Sequence, residues 1–340
     1  MKRILILISI IMAIVLVGCG DTSTTTTESG SDSNPEAESA EDATTTTESA
    51  SDSSETITVE GLDANREATQ VEVPSNPQRV VVIDMAALDT LDALGVGSTV
   101  VGLPKNTQVD YLESYTTNDA LENVGSLKEP DLEAIMSLSP DLIIMGGRAQ
   151  DFYGDLSKIA PTLFLSNDYE VGLLESATKN IHTLASIFGK EAEAKALTDS
   201  YQERLETLKP KAEGLTAVMG IVTNGGFNTL GDGSRGSFIT KSVGFENLAA
   251  DVDSTHGNES SLELLVELDP DYLFIIDRDS AIAAEGAKLA EEILDNELVH
   301  KTRAYQDGHI IYLNPAAWYL TEGGATAMDK ILSDVEGAFK

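Results

Sequence analysis

Arg148 and Arg278 stand 130 residues apart, each seven residues beyond the Asp of a Pro-Asp pair, Pro140-Asp141 and Pro270-Asp271. Leu132-Glu133 and Leu262-Glu263 recur at the same offset, eight residues before each proline. Four features in register predict two structurally similar halves. A guanidinium stays protonated, and two that meet over one gap would grip an anion through charge-assisted, bidentate bonds. Arg235, in Gly231-Asp232-Gly233-Ser234-Arg235-Gly236, is a third cation of interest. His256 lies in a polar loop, Asp253 to Gly257, and Tyr319 follows Trp318. Read alone, such a histidine is as a rule solvated or capping, and such a tyrosine packs in a core. His182, His300 and His309 are assigned no role, and four histidines are too few for a typical His-rich metal site.

Enzymatic readings find little support. GxSxG and HExxH do not occur, and the single cysteine is Cys19, so an exported hydrolase lacks its usual nucleophile or zinc motif. The glycines at 231, 233 and 236 formally spell GxGxxG. They lie outside the first strand–helix unit of either half, where a dinucleotide fingerprint belongs.

The elements that must position these residues alternate. Val80 to Ile83 and Leu142 to Met145 are apolar runs suited to buried strands, as are Ala217 to Val222, Tyr272 to Ile276 and Ile310 to Leu313. Helical patterns fall between them, from Ala86 to Gly95 and from Leu132 to Leu138, which implies parallel strand–helix–strand units. From Asp168 to Glu213 the pattern is purely helical. Leu174, Ala177, Ile181, Leu184 and Phe188 share one face and Gly189 stops the run, while a second run with Leu197, Tyr201, Leu205 and Leu208 is expected to end at Pro210. The expected fold is α/β: two parallel-sheet lobes, residues 57–168 and 190–340, joined by a single long helix at 169–189, with a ligand cleft between them. Arg148 and Arg278 then fall just past strand carboxyl ends, where open parallel sheets bind ligands. One linking helix also implies a small closure on binding and no wide hinge.

The formal net charge of -35 argues against nucleic acid and anionic membrane surfaces as direct partners. Lys2 and Arg3 precede an apolar run, Ile4 to Val17, broken only by Ser9, which reads as an export leader over residues 1–18. Its end, Leu16-Val17-Gly18-Cys19, resembles the lipobox of bacterial lipoproteins, so Cys19 is the expected lipidation site and membrane anchor. Residues 19–56 are rich in Ser, Thr and acidic residues with no basic one, and are expected to form a disordered, self-repelling tether.

Taken together, RVVVIDMAALDTLDALGV, GLPK, PDLIIMGGR, GSRGSF, THG, PDYLFIIDR and IIYLNPAAWYL resemble the class III periplasmic-type binding proteins that capture ferric siderophores for ABC importers. The similarity is greatest to the catecholate binders of the petrobactin and enterobactin type and runs from about Thr56 to the C-terminus. It implies that Arg148, Arg235 and Arg278 face the catecholates, with Trp318 in the ligand-binding set as pocket wall or adjoining core. It implies that His256 and Tyr319 ligate iron, and that Glu133 and Glu263 dock on an ABC permease, a heterodimer or homodimer with its ATPase. The tip of the loop after Arg235, Gly236-Ser237, is smaller than the family pattern. No intrinsic cofactor is implied, since Fe(III) is carried as a siderophore complex. The implied place is the extracellular face of a Gram-positive cell membrane, and a monomer is expected. A tris-catecholate fills all six iron sites and is triply negative, whereas a bis-catecholate leaves two sites that an imidazole and a phenolate can fill. Cobalamin or haem is the alternative ligand within the fold, and 5% aromatic residues speak mildly against the broad apolar cleft either needs.

Overall fold

Val80–Ile83 is buried at all four positions because it is the middle strand of a wholly parallel sheet covered on both faces. The structure, a computed structural model, describes residues 55–251, 258–259, 262–284, 286 and 288–340. Cys19, the leader and nearly all of the tether, and His256, lie outside the described residues. The strand order of this first sheet is Glu122–Asn123, Val100–Leu103, Val80–Ile83, Leu142–Met145, Thr162–Phe164. Asp84 ends the middle strand and caps helix Met85–Ala93, its carboxylate accepting from the Ala87 N–H at 2.9 Å. Gly95, at φ 73°, stops that helix in the left-handed region.

The second sheet is built around Thr216–Thr223, which pairs in parallel with Tyr272–Asp277, itself parallel to Ile310–Tyr312. It is not purely parallel. Asn224-Gly225 lies in the left-handed region at both residues, φ 53° and 72°, and folds Gly226–Leu230 back as an antiparallel partner. Two successive positive φ values make the mirror-image turn that matches strand twist, and Asn-Gly is the pair best suited to it. A second hairpin, Thr56–Leu62 with Ala68–Pro74, stands apart from both sheets. Both of its strands alternate, with Ile57 and Val59 in one and Val71 and Val73 in the other more buried than the residues beside them.

The Pro-Asp repeat has one structural meaning in both halves. Asp141 accepts from the backbone N–H of Gln78 and Arg79 at 2.8 and 3.0 Å, and so clamps the start of the neighbouring strand. Asp271 accepts from the Thr216 N–H at 2.9 Å and does the same for the central strand of the second sheet. The residues before the two prolines, Ser139 and Asp269, both take positive φ, 46° and 42°. An arginine bonds each turn's carbonyl, Arg79 to Ser139 and Arg303 to Asp269.

The crossing between sheets is made by two helices. Leu173–Phe188 buries all five predicted face residues. After Gly189 the helix Glu191–Ala212 follows, and it runs through Pro210 where a stop was expected. Pro210 sits in the last turn, so the interruption is confined to an end that frays anyway. The C-terminal helix Ala325–Gly337 packs on Met85–Ala93 and on Glu191–Ala212. Buried Asp89 caps it, accepting from the Thr326 and Ala327 N–H at 3.0 and 2.8 Å. Tyr201 donates to the Ala325 carbonyl at 2.7 Å. A Cβ on Gly324 would meet the Asp89 carboxylate at 2.3 Å, so this close cap needs glycine there.

Candidate ligand-binding site

Each of the three arginines is placed by the end of an element. Arg148 follows strand Leu142–Met145 in the short 3₁₀ helix Gly147–Phe152. Arg278 opens the short helix after strand Tyr272–Asp277, whose Asp277 accepts from the Ser280 N–H at 2.8 Å. Arg235 sits in the turn before Phe238–Val243, a single π-helical segment, a geometry that recurs at functional sites.

All three guanidinium groups meet at Tyr319. Their carbons lie 4.7 Å (Arg235), 5.6 Å (Arg148) and 5.8 Å (Arg278) from the centre of its ring, within cation–π range. Arg148 Nη2 donates to the Tyr319 carbonyl at 2.7 Å, and Arg235 Nη1 approaches the Trp318 and Tyr319 carbonyls at 3.3 and 3.4 Å. These oxygens end the helix Pro315–Tyr319, where carbonyls lack helical partners and attract cations. Arg278 Nε donates to the Tyr319 hydroxyl at 3.3 Å. That bond, followed by Asp279, raises the Arg278 pKa above its ordinary value against the opposing effect of burial.

Carboxylates are built into the same place. Glu322 is 6% exposed, and its Oε2 accepts from Arg235 Nη1 at 2.9 Å and from the Tyr169 hydroxyl at 2.6 Å. Burial raises the Glu322 pKa above the usual carboxylate range, and Arg235 opposes that shift. Tyr169 is pushed up as well, by burial first and then by the Glu322 charge. Asp279 accepts from Arg278 Nη1 at 2.9 Å and from the Gly225 N–H at 3.0 Å, which ties the Asn-Gly turn to the site. Under Arg148, Asp84 is raised by burial, and a Cβ on Gly146 would strike its carboxylate at 2.0 Å. Glycine at 146 is thus what lets the strand end pass so close to Asp84.

A cleft of about 460 Å³ opens here, lined by Arg148, Arg235, Tyr319 and Glu322, with Arg66 and Lys128 among its other walls. Arg278 does not line it and joins the set through Tyr319. Arg66 comes from the tip of the N-terminal hairpin at φ 64°, and donates to Ser166 Oγ at 2.7 Å.

The structure therefore brings together Arg148, Arg235, Arg278 and Tyr319. His256 lies outside the described residues. Trp318 departs from the expected ligand-binding set. It is fully buried, donates from Nε1 to Asp334 at 2.9 Å and packs edge-on against Phe238, so it is core beneath the site. Glu133 and Glu263 both lie exposed in the first turns of their helices, Leu132–Ser137 and Leu262–Leu268. Glu322, Tyr169, Arg66 and Lys128 were missed by sequence reasoning. The only signal for Glu322 was its place beside the Gly323-Gly324 pair, three residues after Tyr319.

Two sheet-bearing lobes with a basic cleft at their strand ends define a solute-binding protein, and the chain belongs to the periplasmic binding protein family, matching it over residues 80–317. That is a family of substrate-binding proteins and not of enzymes. Petrobactin-binding protein YclQ of Bacillus subtilis is 36% identical over 271 residues, 78% of this chain and 83% of that protein. Its crystal structure aligns with a TM-score of 0.77 at 35% identity, covering 84% of this chain and 99% of the other. The periplasmic catecholate-siderophore binding protein VctP of Vibrio cholerae aligns with the same TM-score at 32% identity, over 83% and 100% of the two chains. Ferric-anguibactin-binding protein FatB of Vibrio anguillarum is 29% identical over 273 residues, 78% of this chain and 84% of that protein.

Proposed function

We propose that this protein captures a ferric catecholate siderophore outside the cytoplasm and delivers it to an ABC importer. The observation that supports it most is the convergence of Arg148, Arg235 and Arg278 on one tyrosine. Planar, permanently charged donors suit the oxygens of an iron catecholate, and arginine faces stack on its rings. Iron is cargo here. His256 and the Tyr319 hydroxyl are the donors for the two iron positions that a bis-catecholate leaves open. Cys19 anchors the protein by lipid at the outer face of a Gram-positive membrane, with residues 19–56 as tether and residues 57–168 and 190–340 as lobes.

Titration of the purified protein with ferric catecholates is expected to quench Trp318 emission, whereas ferric hydroxamates leave it unchanged. Arg148→Ala is expected to weaken catecholate binding by about 10–100-fold, the loss of a charge-assisted bond of roughly 1.5–3 kcal/mol. The pair His256→Ala and Tyr319→Phe is expected to diminish the charge-transfer band of a bound bis-catecholate. Quenching by hydroxamates alone would reject the ligand class, and an unaltered band would reject direct ligation.

Glu133 and Glu263 are proposed to dock one lobe each on cations of the permease. Reversing both charges is expected to abolish siderophore-dependent iron uptake in cells while leaving binding in solution intact. Undiminished uptake by that variant would remove the docking assignment.

A further inference from the structure

Three cations around one ring do not by themselves set the charge a site presents. Arg278 is already paired with Asp279 and Arg235 with Glu322, and both carboxylate side chains are only 3% exposed. Arg148 bonds a carbonyl and makes no ion pair among the described residues. Two of the three positive charges are therefore met internally before any ligand arrives.

Glu322 differs from Asp279 in how it is held. Asp279 places its two oxygens on two donors, the Arg278 guanidinium and the Gly225 N–H. Glu322 bonds through Oε2 alone, while its Oε1 and the neighbouring Arg235 Nε are both buried without a partner. A buried donor and a buried acceptor left idle side by side carry a desolvation cost that a better-satisfied pair would not. Glu322 also lines the cleft itself. Asn167 holds its carbonyl at 2.7 Å and Tyr169 its carboxylate at 2.6 Å, so Glu322, the more buried member of the pair, is fixed in place against Arg235.

We infer that Glu322 is a specificity-determining residue: it withholds Arg235 from the incoming complex and restricts the site to ferric complexes of low net negative charge. This rests on the ferric catecholate reading and refines it. A ferric bis-catecholate is singly negative and meets Arg148, the one member of the trio without an ion pair among the described residues, with Arg66 and Lys128 as the other cations of the cleft. A ferric tris-catecholate is triply negative, so the fixed charge of buried Glu322 opposes it more than it opposes the singly negative bis complex.

The test uses two synthetic probes, an iron(III) bis(catecholamide) and an iron(III) tris(catecholamide), titrated at low salt against the intact protein and Glu322→Gln. Glutamine keeps an acceptor for Tyr169 and Arg235 and removes the charge. The natural protein is expected to favour the bis complex by tenfold or more. The variant is expected to gain about tenfold for the tris complex and by a clearly smaller factor for the bis complex, which carries a third of the charge. A natural protein that favours the tris complex overturns the inference without any variant, as does a Glu322→Gln protein that gains equally for both probes or for neither. If neither probe binds the natural protein while another ferric complex does, the catecholate reading itself fails, which is a separate result.

Discussion

Arg235→Ala is expected to destabilise the fold by about 3–5 kcal/mol near neutral pH, because it strands the buried Glu322 carboxylate without its cation. Arg148→Ala is expected to lose only about 1 kcal/mol, since the carbonyl it leaves is also approached by Arg235. Replacing Arg235 and Glu322 together with leucine should recover most of the loss, because the desolvation of both charges disappears along with their attraction. Glu322 without Arg235 loses the largest influence that opposes burial and keeps only the smaller ones of Tyr169 and Arg148, so its pKa is lifted further. A folded-state pKa above the unfolded value means that stability returns as pH falls, so the deficit should narrow in mild acid. Urea denaturation of the three proteins at two pH values decides the matter. Equal midpoints for Arg235→Ala and Arg148→Ala would show that Glu322 does not depend on its partner.

A second large effect is expected from Asp89, which caps the last helix from within the core. Burial raises its pKa from 3.8 to about 6, against the hydrogen bonds of Thr326 and Ala327 that lower it. Between these two values the folded protein binds a proton that the unfolded chain does not. Stability should therefore increase as pH falls from above 6 toward 4, by about 3 kcal/mol from this one group. Asp89→Asn removes the titrating carboxyl and is expected to flatten the rise in urea midpoint between pH 7 and pH 5. Parallel slopes for the two proteins would place the pH dependence elsewhere.

Arg148 and Arg278 were legible in the sequence because they rode on features of backbone geometry, whereas Arg235 joined them only through the family resemblance. Each Pro-Asp pair clamps an adjacent strand start, so the repeat carries the positions of Arg148 and Arg278 with it. The buried face of Leu173–Phe188 was equally plain, since packing on one side of a long helix imposes its period. Asn224-Gly225 was visible as a loop and not as a hairpin, because the parallel pattern of the first half was carried into the second. Glu322 and Tyr169 were not legible. They reach the site from the segments following Tyr319 and preceding Leu173–Phe188, and only tertiary folding brings them to Arg235. Trp318 was read with its neighbour, yet successive residues of a short helix face different ways. Tyr319 meets the arginines while Trp318 turns inward to Asp334.

The carbonyl of Tyr319 takes hydrogen bonds from one arginine of each half, Arg148 and Arg235. Long side chains ordinarily forfeit about 0.5–1.5 kcal/mol of rotamer freedom when a ligand immobilises them. Here that ordering is complete before any guest arrives, so an incoming chelate meets a rigid mould and its residence time should reflect contact quality more than induced order.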